Sequence, residues 1–466
     1  MIVRPAAPPV DGRNWLTSAP LTWEELSGQV VIVVFWSHGC EASLLRVRQI
    51  ESLVANTDFG LTAIAVHTPR FTYEEELEPL RSVVTQYRIG LPVVHDPDYV
   101  TWNRYQPEGW PATVVVGADG RVLGMQSGSG DVDLLAQSVA LGLESITGVS
   151  RSGRSRRVNP LPMPGTELAF PTAVAVRPGG ELVVADAGHD RLLLFELDGA
   201  RRRAEAVAEI NGIALPNAVV ADDGDGIYVS EQARGSVSYL DLAARTRQRL
   251  TSDLIAPTSL VMDADGSVVL ADGGGEQLYR LIRNGPEDLA LGLIAGTGRT
   301  GCEDGDAAEA ELAQPTGLAR SEAGLVFCDA ASSNLRLLTD NGRVATVTGN
   351  GFFQWGLVDG PAHKAMLQRP SDLAVLDDGS IVVVDTGNNR LRRLANRRIR
   401  TLGLNGLNRP MAVAALPGGG VVVADTGNHR LVVVEPDLQR AWPLELVGVP
   451  DPLDVLANPP SPSPAG

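Results

Sequence analysis

A chain of 466 residues, 44% hydrophobic and 20% charged, is long enough for two or more domains or one large repeat architecture, and its composition is that of an ordinary soluble globular protein. The formal charge of −17 is spread along the chain, with 9 Arg against 17 acidic residues in 1–148, which argues against nucleic acid or an anionic membrane as the main partner and leaves room only for a local basic patch. Lys364 is the sole lysine, which excludes lysine chemistry everywhere but around that position.

The opening MIVRPAAPPVDGRNW lacks the charged and apolar regions of a secretory leader. No apolar run reaches the ~18 residues of a membrane span. Cys40, Cys302 and Cys328 make neither a disulfide framework nor a metal-type pair. These features predict a cytoplasmic, reducing location and no cofactor or metal.

Residues 21–147 alternate strands and helices, an α/β pattern. VVIVVFW (30–36) is a continuous apolar run, as in a strand buried on both faces. After Cys40, Leu44, Val47, Ile50 and Val54 recur at helical spacing, with Arg46, Arg48 and Glu51 between them. GLTAIAVHT (60–68) predicts the next strand. YEEELEPLRSVVTQYRI (73–89) predicts a helix whose acidic first turns complement its dipole. LPVVHD (91–96), a strand pair turned at Ala-Asp-Gly-Arg within 111–128, and a helix near 131–143 complete the pattern.

Strand, then W-x-x-x-C, then helix, followed by GWPATVVV at 109–116, resembles the thioredoxin fold. PLTWEELSGQVVIVVFW, AVHTPRFTYEEE, YRIGLPVVHDPDYVTWNRY and GWPATVVVGADGRV extend the likeness to a family that joins a thioredoxin-like domain to NHL repeats. The resemblance implies that Pro111 is a cis-proline facing the reactive sulfur, with Trp36, His38 and Trp110 as neighbours. It also implies a Cys-x-x-Cys site, from which this chain departs: Cys40 matches the first cysteine and Ser43 stands at the second. In a dithiol site the second thiol resolves the mixed disulfide, which a serine hydroxyl cannot do. Cys40 is then either a retained cysteine without chemistry or a monothiol that needs an outside thiol. The helix start, Ser43 and His38 favour its thiolate, and Glu41 opposes it. A peroxidase motif is incomplete, because Val34 stands where its proline belongs.

VSRSGRSRRVNPLPMPG (149–165) changes the composition to Arg, Ser, Gly and Pro, which predicts a linker over 148–158 between a domain at 11–147 and another at 159–450. The later part repeats: PTAVAVRPGGELVVADAGHDRL, PSDLAVLDDGSIVVVDTGNNRL and PMAVAALPGGGVVVADTGNHRL are copies, with weaker ones beginning at Pro216, Pro257 and Pro315. Six units of about forty residues with four strands each predict a six-bladed β-propeller. VVADTGNHRLVVV resembles the NHL repeat itself. Asp186/Arg191, Asp385/Arg390 and Asp425/Arg430, each five apart, are expected to tie strand ends structurally.

Two long spacings hold copies of one insert, AGTGRTGCEDGDAAEAELAQP (295–315) and TGNGFFQWGLVDGPAHKAMLQRP (348–370). GTGRTG formally matches a dinucleotide motif, but it lies outside a βαβ unit and so is a false positive. Phe352, Phe353 and Trp355 are candidates for contact with a protein partner. His189, His363 and His429 fall at non-equivalent repeat offsets, against a metal enzyme. Residues 451–466 predict a closing segment and a disordered tail, and the chain is too short for the further β domain some members of that family carry. Two functions follow: an interaction scaffold with a degenerate redox site, or a monothiol thiol-disulfide oxidoreductase using Cys40.

Overall fold

A computed structural model describes residues 4–57, 60–128, 132–144, 158–252, 254–283, 289–349 and 351–450. They fall into two compact units, within Met1–Met163 and Pro164–Gly466. The expected linker lies mostly outside the described residues, and the expected tail wholly so. Asn159 N–H donates to the Thr17 carbonyl of the first unit at 2.8 Å.

The first unit is α/β. Its strands are β1 (Asn14–Trp15), β2 (Val30–Trp36), β3 (Leu61–His67), β4 (Val93–His95), β5 (Ala112–Val116) and β6 (Val122–Ser127). Its helices are α1 (Glu41–Ala55), α2 (Leu77–Gln86), α3 (Val100–Tyr105) and α4 (Val132–Glu144). The sheet order is β1-β4-β3-β2-β5-β6, with β2 parallel to β3 and antiparallel to β5. Every side chain of β2 and β3 is buried, as the unbroken apolar runs require. In α1, Leu44, Val47 and Ile50 form the inward stripe, and Arg46, between them in sequence, is also buried at 2% exposure. The predicted helix over 73–89 is instead a 3₁₀ turn, Thr72–Glu74, followed by α2. Its first acidic residue, Glu74, turns inward and is fully buried, so it does not serve as an exposed partner of a helix dipole.

The second unit is a six-bladed β-propeller. The four-strand blades begin at Pro171, Pro216, Pro257, Pro315, Pro370 and Ala412. The apolar clusters lie between neighbouring blades, such as Leu182, Val184 and Phe195 of the first against Val422, Ala424 and Leu431 of the sixth. At the inner ends the residue after the repeat proline donates to the next blade in the first five blades. Thr172 donates to the Pro216 carbonyl at 2.7 Å, Thr258 to Pro315 at 2.7 Å, and Ser371 to Met411 at 2.7 Å. The ring closes in two places. Thr426 Oγ1 donates to the Pro171 carbonyl at 2.5 Å, and Glu445–Val447 adds a parallel strand to the outer edge of the first blade at Arg203–Glu205.

The inserts are fifth strands of their own blades. Gly305–Asp306 pairs with Arg343–Val344, and Gly360–Pro361 pairs with Arg398–Ile399. No helix follows GTGRTG, which rules out the dinucleotide reading. Two of the expected Asp–Arg ties form, Arg191 to Asp186 at 2.8 Å and Arg430 to Asp425 at 2.7 Å. The third does not: Asp385 is paired with Arg392 at 2.6 Å, while Arg390 donates to the Asn389 carbonyl. Side chains alternate across a strand, so a residue seven after the acid reaches the same face as one five after it.

Candidate functional site

The carboxyl end of β2 carries Trp36, fully buried, and the turn Ser37–Cys40 that leads into α1. Cys40 is the N-cap residue of α1 in extended conformation (φ −122°, ψ 112°), with its N–H donating to the Ser37 carbonyl at 3.2 Å. Cys40 is 7% exposed. Its carbonyl accepts from the Ser43 and Leu44 N–H groups at 3.0 and 3.1 Å, which starts the helix. Ser43, where a resolving cysteine would stand, is fully buried, and its hydroxyl has no hydrogen-bond partner among the described residues.

Trp110 and Pro111 reach the same end of the sheet from the other side, since β5 begins with Ala112 opposite Phe35. The Trp110–Pro111 peptide is cis. The Trp110 indole stacks on Trp102 with centroids 4.3 Å apart, and its N–H donates to the Thr68 carbonyl at 3.0 Å. Trp36, His38, Cys40, Ser43, Trp110 and Pro111 lie at or next to this end of the sheet. Phe352, Phe353 and Trp355 belong to the second insert of the propeller, where Phe353 is 77% exposed and meets Phe352 edge to face at 5.0 Å.

Three residues beside Cys40 form a cluster that was only partly visible in the sequence. His38 Nδ1 lies 2.9 Å from Nε2 of His67, the last residue of β3. Glu74 is held beside them by three donors: Ser37 Oγ at 2.8 Å, Gly39 N–H at 2.7 Å and Arg70 N–H at 2.8 Å. Gly39 is required here, because a Cβ would meet Glu74 Oε1 at 2.2 Å and Tyr73 Oη at 2.6 Å. Burial, reinforced by the neighbouring His95, holds His67 well below the usual imidazole range, so it is neutral. Only His38 was singled out beforehand. Nothing local marks His67 or Glu74, which are joined to it by tertiary packing.

The other two thiols are in the propeller. Burial pushes Cys302 up, and pushes the fully buried Cys328 well above the ordinary thiol range, so Cys328 is an inert core group.

Residues 367–394 and 407–434 match the NHL repeat family. The chain is similar to NHL repeat-containing protein 2 of Gallus gallus, 26% identical over 77% of this chain and 57% of that one. It is also similar to Protein SUPPRESSOR OF QUENCHING 1, chloroplastic, of Arabidopsis thaliana, 24% identical over 84% of this chain and 42% of that one. A third likeness is to Protein DipZ of Mycobacterium bovis, 29% identical over 28% of this chain and 19% of that one. The chain therefore spans little more than half the length of the NHL relatives it matches. Among the described residues no helix is long and apolar enough to cross a membrane.

Proposed function

We propose that the chain is a protein-interaction scaffold in which the NHL propeller docks a protein partner and a thioredoxin-like α/β unit keeps a degenerate Cys-x-x-Ser site. The observation that carries this reading is Ser43, buried in the first turn of α1 where a resolving thiol would have to stand. The cis Trp110–Pro111 peptide at the same sheet end and the partial likeness to DipZ support the thioredoxin-like assignment. The exposed Phe353, with Phe352 and Trp355 beside it, supplies an apolar contact of the kind protein partners cover.

A second reading rests on Cys40 heading a 15-residue helix, a position that favours thiolate. The Cys40 thiolate attacks a substrate disulfide, forming a mixed disulfide and releasing one substrate thiolate. An external small thiolate then attacks the substrate-side sulfur of the mixed disulfide, which releases the Cys40 thiolate and leaves the small thiol joined to that substrate sulfur in a new disulfide. Insulin reduction by the full chain, with a dithiol-regenerating system, tests the choice. The scaffold reading expects no turnover above background, and Ser43→Cys should create it. Robust turnover by the unaltered chain would replace the scaffold with the monothiol enzyme. The pH dependence of alkylation, in a Cys302→Ser, Cys328→Ser background, gives the Cys40 acidity directly. Alkylation that rises only above about pH 8.5 fits the scaffold.

A further inference from the structure

His38, His67 and Glu74 come from three separate elements: the turn before α1, the end of β3 and the 3₁₀ turn before α2. One ligand atom from each lies within 4.8 Å of the other two, and all three residues are buried. Two imidazoles and one carboxylate are the donor set of a borderline divalent ion such as zinc. We propose that these three residues form a site for a single zinc-class divalent cation, which pins the Ser37–Cys40 turn to β3. A water completes the coordination.

The three ligand atoms, all within 4.8 Å of one another, draw together around the ion. A tetrahedral ion with bonds of about 2.0–2.1 Å keeps its ligand atoms roughly 3.3 Å apart. His38 Nδ1 and His67 Nε2 stand at 2.9 Å and open by about 0.4 Å, while Glu74 Oε2, 4.0 Å from His67 Nε2, closes by about 0.7 Å. The two rings are 15° from parallel with centroids 4.9 Å apart, farther apart than their nearest nitrogens. In this stacked arrangement the two nitrogens are close neighbours, and rotation of each ring about its side-chain bonds turns both toward one ion beside Glu74.

The carboxylate is already oriented. Ser37 Oγ and the Gly39 and Arg70 N–H groups fix both its oxygens, as outer-shell donors do around metal ligands. A fully buried carboxylate also gains from a cation held between it and two neutral imidazoles.

The test uses the full chain, stripped with a chelator and titrated with zinc chloride and with cobalt(II). One equivalent of zinc per chain should survive gel filtration and raise the melting temperature. His38→Asn and Glu74→Gln should each weaken zinc binding at least tenfold and lose most of that rise, with circular dichroism confirming that they fold. Zinc X-ray absorption on the unaltered chain should give a nitrogen/oxygen first shell with imidazole scattering, a readout independent of any variant. Stoichiometry well below one would overturn the site. So would a sulfur-dominated shell, or equal affinity in folded His38→Asn and Glu74→Gln.

Discussion

A carboxylate taken out of water is either held by donors or kept protonated, and two acids of this chain show the two solutions. Glu74 receives a hydroxyl and two backbone N–H groups. Asp372, on the inner strand of the fifth blade, accepts backbone N–H bonds from Val413 and Leu373, which only partly offset its burial, and its carboxyl is pushed up to about 7 from an ordinary 3.8. Between those values the folded chain holds a proton that the unfolded chain has lost, so this group's contribution to stability falls as pH rises from about 4 to 7. Asp372→Asn copies the protonated form. The variant should gain over the parent as pH rises, by about 1 kcal/mol at pH 4.5 and by about 4 kcal/mol at pH 8. Denaturant midpoints of both chains at the two pH values check this, and a difference that grows on acidification would be the wrong sign. Asp372 stands where the other five repeats have Ala173, Ala218, Ser259, Gly317 and Ala412, a departure that aligning the repeats exposes. Glu74 sits among other glutamates, and only the fold decides which acid of that run turns inward.

The repeat acid has one duty in all six blades, including the copies that looked eroded. Asp186, Glu231, Asp272, Asp329, Asp385 and Asp425 each accept the backbone N–H of a residue 16 or 17 positions earlier, in the segment leading into the blade. The arginine is the variable part. In blades four and five, Arg336 and Arg392, both fully buried, bind the repeat acid and also Asp304 and Asp359 of the inserts. Those aspartates accept from Thr346 and Thr401 as well, which latches each insert to its own outer strand. The motif therefore showed which acids matter, but five-residue spacing pointed to Arg390 for a role that falls to Arg392. Arg392→Ala leaves Asp385 buried without its cation and should cost about 3–5 kcal/mol. Arg390→Ala should stay within about 0.5 kcal/mol. Equal losses in the two variants, measured by chemical denaturation, would restore the five-residue pairing.

At the scale of the molecule, periodicity made the blades legible because each repeats a proline, a Gly-containing turn and a β-branched strand ending in an acid. Ring closure has no such signature. Position 411 is Met where other blades place a hydroxyl or amide, and the sixth blade instead uses Thr426 to reach the Pro171 carbonyl. The closing strand Glu445–Val447 is three residues long, too short for any alternation to announce it. Its Leu446 packs with Trp442 against the cluster shared by the first and sixth blades, and the adjacent Leu444 is buried there. Arg202 lies over the Trp442 ring at 3.5 Å, and the Trp442 indole donates to the Arg201 carbonyl at 2.8 Å, so several contacts join the two ends of the ring. A propeller whose ends separate exposes two apolar blade faces at once, which makes closure a cooperative requirement of the whole ring. Ending the chain at Leu444 removes the added strand but leaves all four strands of every blade. The truncated chain should melt several degrees lower, with the calorimetric loss confined to the propeller transition and the α/β unit unchanged. An unaltered propeller transition would mean that the Thr426–Pro171 contact and blade packing close the ring without the strand.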